Sequence, residues 1–92
     1  MSNSVDLYYT KDCSSCAEAV EELTFLQQCE TEPRIGEVYF KDISSDSGHA
    51  AEWDMYGFTK YPVIVVYDED GNEVSTHEGL GRIQAWIKRQ SI

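Results

Sequence analysis

Two cysteines separated by two residues are the part of this sequence that could do chemistry. Cys13 and Cys16 follow an apolar run and lead into a helical pattern. Two thiols at this spacing can close a small disulfide, and the free amides of a helix N-terminus help to ionise the first thiol. The stretch therefore predicts a redox-active dithiol at a strand-to-helix junction.

The two thiols are expected to have different roles in thiol-disulfide exchange. Cys13 lies nearest the strand end and over the helix start, so we expect it to be the exposed nucleophile. Cys16 lies one helical turn further along the chain. It should be the buried thiol that resolves the mixed disulfide.

The remaining thiol and imidazole side chains form no pattern of their own. Cys29 stands at the end of the first helical segment. We interpret it as a small, partly buried hydrophobe, with a regulatory or dimer-forming thiol as the alternative. His49 and His77 are isolated, and no second Cys-x-x-Cys is present. We therefore expect no metal site and no bound cofactor.

The composition is that of one small folded domain. The chain has 92 residues, of which 41% are hydrophobic and 12% aromatic, which suits a modest core of two layers. Its 17 Asp and Glu against 7 Lys and Arg give a formal net charge of -10, which repels nucleic-acid phosphates and anionic lipids. We expect a single domain over residues 1–92 that binds neither nucleic acid nor membranes and suits a partner with a basic face.

The cell compartment can be predicted from the same sequence. Residues 1–6 lack both the basic start and the hydrophobic centre of a secretory signal, and no apolar run approaches membrane-spanning length. We therefore expect a cytoplasmic protein. In that compartment a close cysteine pair favours redox chemistry over a structural disulfide.

Strand and helix patterns alternate around the dithiol. A capping box formed by Ser15 and Glu18 is one start for the first helix, although a start at Cys13 or Ser14 fits equally. Asp46 is among several candidate N-caps of a second, short helix that Gly57 can end. The predicted strands cover residues 5–10, 35–43, 63–67 and 72–76, and a third helix follows residue 81.

Three features together resemble the thioredoxin and glutaredoxin superfamily. They are the Cys-x-x-Cys after the first strand, the Tyr61-Pro62 step before the third, and Gly79-Leu80-Gly81 before the last helix. The resemblance spans nearly the whole chain. It implies an α/β thioredoxin fold of order β-α-β-α-β-β-α, with a four-stranded mixed sheet in strand order 2-1-3-4 flanked by three helices. It also implies that Pro62 is a cis-proline facing the dithiol and leaves the Tyr61 backbone open to an extended substrate.

The resemblance further implies a substrate groove beside the dithiol. Hydroxyls between the cysteines can donate to the Cys13 thiolate, and Lys11 favours its ionisation whereas Asp12 opposes it. Lys11 also resembles the basic residue that precedes the motif in many glutaredoxins, but it lies one position closer to Cys13. The candidate substrate-binding residues are Lys11, Ser14, Ser15, Tyr61, Pro62, Gly79 and Gly81.

Two departures from the family pattern bear on the electron donor. Leu7 stands where thioredoxins carry a buried Asp that takes the proton of the resolving thiol. Arg82 stands where glutathione-using members often present acidic residues. By elimination the sequence favours the short redoxins that thioredoxin reductase and NADPH reduce, and ribonucleotide reductase is a candidate target.

Three alternatives to this redoxin interpretation stay open, one of which is iron-sulfur assembly between two chains. A glutaredoxin that is reduced by glutathione is the alternative within the same class. A thioredoxin-fold binding module without catalysis, in which the acidic surface matters more than the dithiol, is the rival from another class. In the favoured reading the chain is a monomer that reduces a protein disulfide.

Overall fold

Seven elements follow one another in the predicted order. The computed structural model describes residues 3–28 and 35–90, so the prediction for Cys29 lies outside the described residues. The elements are β1 (Asn3–Tyr9), α1 (Ser14–Gln28), β2 (Ile35–Asp42), α2 (Ser47–Met55), β3 (Val63–Tyr67), β4 (Glu73–Glu78) and α3 (Leu80–Gln90).

The four strands form one mixed sheet. Its order is β2-β1-β3-β4, with β1 and β2 parallel and both the β1-β3 and β3-β4 pairs antiparallel. The helix α1 makes the crossover between the two parallel strands, as such a connection requires. The predicted α/β class and the strand order 2-1-3-4 are confirmed.

One face of the sheet packs against α1 and α3. Because side chains alternate along a strand, every second residue of β1 and β3 points to this face. The core there is apolar and joins Leu7 and Ile64 of the sheet to Leu23 of α1 and to Ile83 and Trp86 of α3. This face holds the larger part of the hydrophobic core.

The opposite face packs against α2 and is built differently. Tyr8, Val63 and Val65 form a small core with Phe58, which follows α2. The helix α2 itself buries no side chain completely. Its position therefore depends on its ends and on polar contacts more than on apolar burial.

The ends of α2 agree with the sequence prediction. The Asp46 side chain accepts hydrogen bonds from the backbone N–H groups of Gly48 at 2.8 Å and His49 at 3.1 Å, which is the N-cap arrangement. After the helix, Gly57 has a φ of 80°, which glycine adopts without a steric penalty. Both predicted boundary residues are confirmed.

The predicted bounds of four elements were wrong by one or two residues. β2 ends at Asp42 rather than at residue 43. β1 begins at Asn3 and ends at Tyr9 rather than covering residues 5–10. β4 is displaced toward the C-terminus, because its pairing with β3 continues to Glu78 opposite Val63. α3 begins at Leu80, so Gly81 lies inside the first turn. Within the described ranges, no helix combines the length and apolar character needed to cross a membrane.

Candidate active site

The strand register brings the predicted site segments to one edge of the sheet. Tyr8, near the end of β1, pairs with Val63 at the start of β3, and Val63 pairs with Glu78 at the end of β4. The turn before Cys13, the residues before β3 and the start of α3 therefore share this edge. A hydrogen bond of 2.8 Å from Gly79 N to Pro62 O joins two of these segments.

Cys13 is the N-cap of α1. The backbone N–H of Ala17 donates to Cys13 O at 3.1 Å, and that of Cys16 donates to Cys13 Sγ at 3.1 Å. The helix begins at Ser14, so the capping box predicted from Ser15 is wrong and the alternative start is correct. The sulfur of Cys13 thus accepts a hydrogen bond that a serine or aspartate oxygen accepts at an ordinary helix start.

The two cysteines differ in exposure as the sequence predicts. Cys13 is partly exposed and Cys16 is fully buried, and both are free thiols. Only Cys13 is placed to meet a sulfur atom from outside. The roles of nucleophile and resolving thiol stay predictions.

The buried thiol is hard to ionise. Burial, followed by the hydrogen bond with Cys13, raises the pKa of Cys16 to about 11, although contacts with Thr10 act in the opposite direction. Cys16 is therefore protonated at neutral pH. Leu7, which takes the place of the carboxylate expected in thioredoxins, is fully buried in the apolar core and offers no group that could accept the proton.

The segment before β3 is held by a tryptophan. The Tyr61–Pro62 peptide bond is cis, in agreement with the resemblance, and Pro62 is buried whereas Tyr61 is 47% exposed. Trp53 Nε1 donates to Lys60 O at 2.9 Å, and the Trp53 and Tyr61 ring centroids are 6.3 Å apart. No sequence motif singles out Trp53 for this role.

The loop after β2 supports the turn before Cys13. The Lys11 N–H donates to Ser44 Oγ at 3.4 Å, and Ser44 in turn donates to Asp42. Hydrogen bonds from the Ser44 hydroxyl and backbone lower the pKa of Asp42. The Lys11 side chain is exposed, so its backbone rather than its charge makes the contact.

The other predicted groove residues are two serines and two glycines, which differ in exposure and in whether the backbone favours the residue type found there. Ser14 is exposed and Ser15 partly buried at the start of α1. Gly79 has a φ of 94°, a conformation that favours glycine. At Gly81 a Cβ would meet no atom within 4 Å, so packing gives no reason for a glycine there.

The arrangement has the features of a thiol site and not those of a metal centre. Among residues 3–28 and 35–90, no group of three or more His, Cys, Asp and Glu side chains could hold a metal ion. The chemistry available at the edge is that of one accessible sulfur beside one buried thiol.

A mixed sheet of order 2-1-3-4 with Cys-x-x-Cys at the N-terminus of α1 defines a thioredoxin-fold protein. No protein-family model matches the chain, and no curated protein matches it either. Solved structures do match. They confirm the thioredoxin fold that the sequence resemblance implied.

Three of the similar structures are thioredoxins from three different organisms. The thioredoxin of Fasciola hepatica has 21% identity and a TM-score of 0.68, covering 97% of this chain and 81% of that chain. Mitochondrial thioredoxin 3 of Saccharomyces cerevisiae, in its oxidized form, has 21% identity and a TM-score of 0.70. The match covers 97% of this chain and 76% of that chain. Thioredoxin f2 of Chlamydomonas reinhardtii has 19% identity and a TM-score of 0.70, covering 96% and 78%.

Proposed function

We propose that this protein is a small dithiol oxidoreductase that reduces protein disulfides through Cys13 and Cys16. The observation that carries the proposal is the hydrogen bond of 3.1 Å from the Cys16 N–H to Cys13 Sγ at the start of α1. A backbone donor and the positive end of the helix dipole both favour a thiolate over a thiol. Partial exposure of Cys13 makes that sulfur accessible to a substrate.

The first step is attack by the Cys13 thiolate on one sulfur of a substrate disulfide. The substrate S–S bond breaks, a mixed disulfide with Cys13 forms, and the other substrate sulfur leaves as a thiolate. Cys16 then attacks Cys13 Sγ and releases the second substrate thiolate. Two electrons pass from the protein dithiol to the substrate, and a Cys13–Cys16 disulfide is left.

The second step needs an acceptor for the Cys16 proton. With a pKa of about 11, Cys16 is not ionised at neutral pH, and Leu7 gives no carboxylate beside it. The base that is present at that moment is the substrate thiolate formed in the first step. We assign to it the proton of Cys16, which conserves charge within the complex.

The substrate is expected to lie along the segment before β3. β3 is paired with β1 and β4 along its length, but the residues before it lie beyond the pairs Tyr8–Val63 and Val63–Glu78, where this strand pairing ends. An extended peptide could pair with the Tyr61 backbone there and place its cysteine beside Cys13. The adjoining rings of Trp53 and Tyr61 would contact the side chains that flank this cysteine.

Thioredoxin reductase with NADPH is the electron donor that we propose, and ribonucleotide reductase is a candidate target. Arg82 is exposed in the first turn of α3, where a positive charge does not favour the ammonium group of glutathione. A coupled NADPH assay with each reducing system tests this choice. Turnover with glutathione and glutathione reductase, and none with thioredoxin reductase, would instead identify a glutaredoxin.

The proposed roles of the two thiols predict different outcomes for their serine variants. Cys13→Ser should abolish reduction of a protein disulfide, because the attacking sulfur is gone. Cys16→Ser should instead accumulate a mixed disulfide that mass spectrometry detects on Cys13. Cys29→Ser is the matched thiol control and should keep the wild-type rate.

Retained reductase activity in Cys13→Ser would contradict the proposal. A wild-type chain that reduces no disulfide, but whose Cys13→Ser variant still binds its partner, would favour the non-catalytic binding module. A cytoplasmic, monomeric reductase is part of the same proposal, and fractionation of cells with sizing of the purified chain tests both points.

A further inference from the structure

A cavity of about 360 Å³ lies on the α2 face of the sheet. Its size is within the range of about 300–1,000 Å³ that small-ligand pockets occupy. It extends toward Tyr67, at the end of β3 opposite to Pro62, and so leads away from the edge that carries Cys13. Its lining combines three tyrosines and a methionine with three charged residues: Tyr8, Tyr56, Tyr67, Met55, Asp6, Lys41 and Glu52.

The charged residues form a connected network with an excess of negative charge. Lys41 Nζ lies 3.0 Å from Asp6 Oδ2 and 2.8 Å from Glu52 Oε1, and the Tyr8 hydroxyl donates to Glu52 Oε1 at 3.0 Å. Burial acts to lower the pKa of Lys41, but its hydrogen bonds to both carboxylates raise it well above its usual range. Two carboxylates therefore face one ammonium group.

Among the described residues, Asp6 is contacted by Lys41 through one of its two carboxylate oxygens. The residue is only 9% exposed, and Lys41 contacts its Oδ2, whereas Oδ1 has no hydrogen-bond partner in the part of the chain that the structure describes. No fully buried polar side-chain atom there lacks a partner. Asp6 lines the cavity, so a ligand inside it would meet this carboxylate.

The rim of the cavity has the composition of a protein-protein interface. Tyr39 pairs with Asp6 across β1 and β2 and is 48% exposed, and Met55 and Tyr56 are 87% and 43% exposed. Tyrosine and methionine are enriched at interfaces. Glu37, which accepts a hydrogen bond from the Tyr39 hydroxyl, adds negative charge to the same rim.

We propose that this cavity is a docking site for an arginine side chain of a partner protein. Its guanidinium group would donate to Asp6 Oδ1 and lie against the tyrosine rings. A planar, weakly hydrated guanidinium suits both a carboxylate and an aromatic face. The net charge of -10 also attracts a basic partner, because the two charges are of opposite sign. The proposal does not depend on the redox function.

An ammonium ion is the weaker candidate for this position. Lys41 Nζ already lies 5.4 Å from the centroid of the Tyr8 ring, so the protein's own ammonium group occupies that ring. Asp6, Tyr56 and Tyr67 also line the cavity, and the hydroxyls of the two tyrosines are hydrogen-bonded to each other at 2.7 Å. A flat, weakly hydrated cation suits an aromatic lining better than a compact one with a tight hydration shell.

The test titrates the isotope-labelled full chain with short Gly/Ser peptides that carry one arginine, one lysine or one citrulline. The arginine peptide should give saturable shifts of backbone amides in β1, β2 and the end of α2. The lysine peptide should bind about fivefold more weakly, and the neutral citrulline peptide should not saturate. Equal binding of citrulline, or shifts confined to other surfaces, would overturn the proposal.

Two variants separate the cavity from general charge effects. Asp6→Asn and Tyr56→Ser should each weaken arginine-peptide binding by about fivefold or more, since each removes one of the two proposed contacts. Asp54 is exposed on α2 and does not line the cavity. Asp54→Asn therefore removes a negative charge outside the cavity and should change binding by less than about twofold. An equal loss in Asp54→Asn would overturn the proposal.

Folding and redox activity serve as independent readouts. If Asp6→Asn does not fold, Tyr56→Ser and the wild-type peptide series decide the outcome. Tyr56→Ser should reduce a small disulfide at the wild-type rate, because its side chain lies outside the dithiol site. Absence of arginine-peptide binding would therefore not contradict the reductase proposal. Absence of disulfide reduction would not contradict the docking site, which the peptide titrations test.

Discussion

The two faces of the sheet are stabilised by different means. On one face two helices cover an apolar core in which Leu7, Leu23 and Ile83 have no exposed surface. On the other face a single short helix meets tyrosines, a valine pair and the network of Lys41 with two carboxylates. The first face is closed to solvent, and the second leaves a cavity open.

This difference separates the parts of the molecule that hold the fold from those free to contact a partner. α1 and α3 are fixed by apolar burial, and Cys13 is the N-cap of α1, so the position of its sulfur depends on the apolar face. α2 is held by the Asp46 cap and by polar contacts. Hydrogen bonds, unlike a close-packed apolar core, can be satisfied at a surface that remains accessible.

Leu23→Ala should give the largest loss of stability. Leu23 is fully buried between α1 and the sheet, so the change removes buried methyl groups and leaves a cavity. We expect the free energy of unfolding to fall by about 2–5 kcal/mol, measured by urea denaturation. Phe25→Ala on the same helix, at a side chain that is 75% exposed, is the control and should stay within about 0.5 kcal/mol. Equal losses would mean that this face is not the main core.

Sequence periodicity was sufficient to predict this apolar face. The apolar runs at residues 5–10 and 63–67 predicted two strands that lie at the centre of the sheet. These patterns are readable because burial in a strand or helix repeats at a fixed spacing. The bounds of β4 were missed by one or two residues, since its pairing with β3 and not local composition determines where it ends.

Lys41→Met should give the second largest effect, on the opposite face. Removing the ammonium group leaves Asp6 nearly buried without its partner, and such a loss costs about 1–3 kcal/mol. The measurement is urea denaturation at neutral pH. Lys60→Met, at an exposed lysine, is the control for loss of one positive charge and should stay within about 0.5 kcal/mol.

The effect of Lys41→Met should also depend on pH with a defined sign. The hydrogen bond from Lys41 lowers the pKa of Glu52 in the folded protein. A carboxylate with a depressed pKa stabilises the fold above its ordinary pKa, and that stabilisation is lost as the pH falls through the depressed value. The difference between wild type and variant should therefore shrink in acid. A difference that grows in acid would exclude the network as its cause.

The polar face and the details of the site were less accessible to sequence reasoning. Asp6 interrupts an apolar strand pattern, and that was the only signal for the network, because its partners Lys41 and Glu52 are distant in sequence. Trp53 and Thr10 acquire their contacts with the active-site edge only through tertiary structure. In contrast, the placement of Cys13 and Cys16 at a helix start was predictable, because their spacing and the helix start are local properties of the sequence.

Tyr8 and Tyr9 are adjacent on β1 and point to opposite faces of the sheet. Variants of these two residues compare the faces most directly, with the smallest expected change in stability. Tyr8 is buried on the α2 face, where its hydroxyl donates to Glu52 at 3.0 Å, so Tyr8→Phe should cost about 0.5–1.5 kcal/mol of unfolding free energy. Tyr9 packs against the apolar core, and its hydroxyl has no hydrogen-bond partner among the described residues, so Tyr9→Phe should change stability by less than about 0.5 kcal/mol. Urea denaturation of both variants measures the pair. A larger loss for Tyr9→Phe would show that hydroxyl contacts are not what distinguishes the two faces.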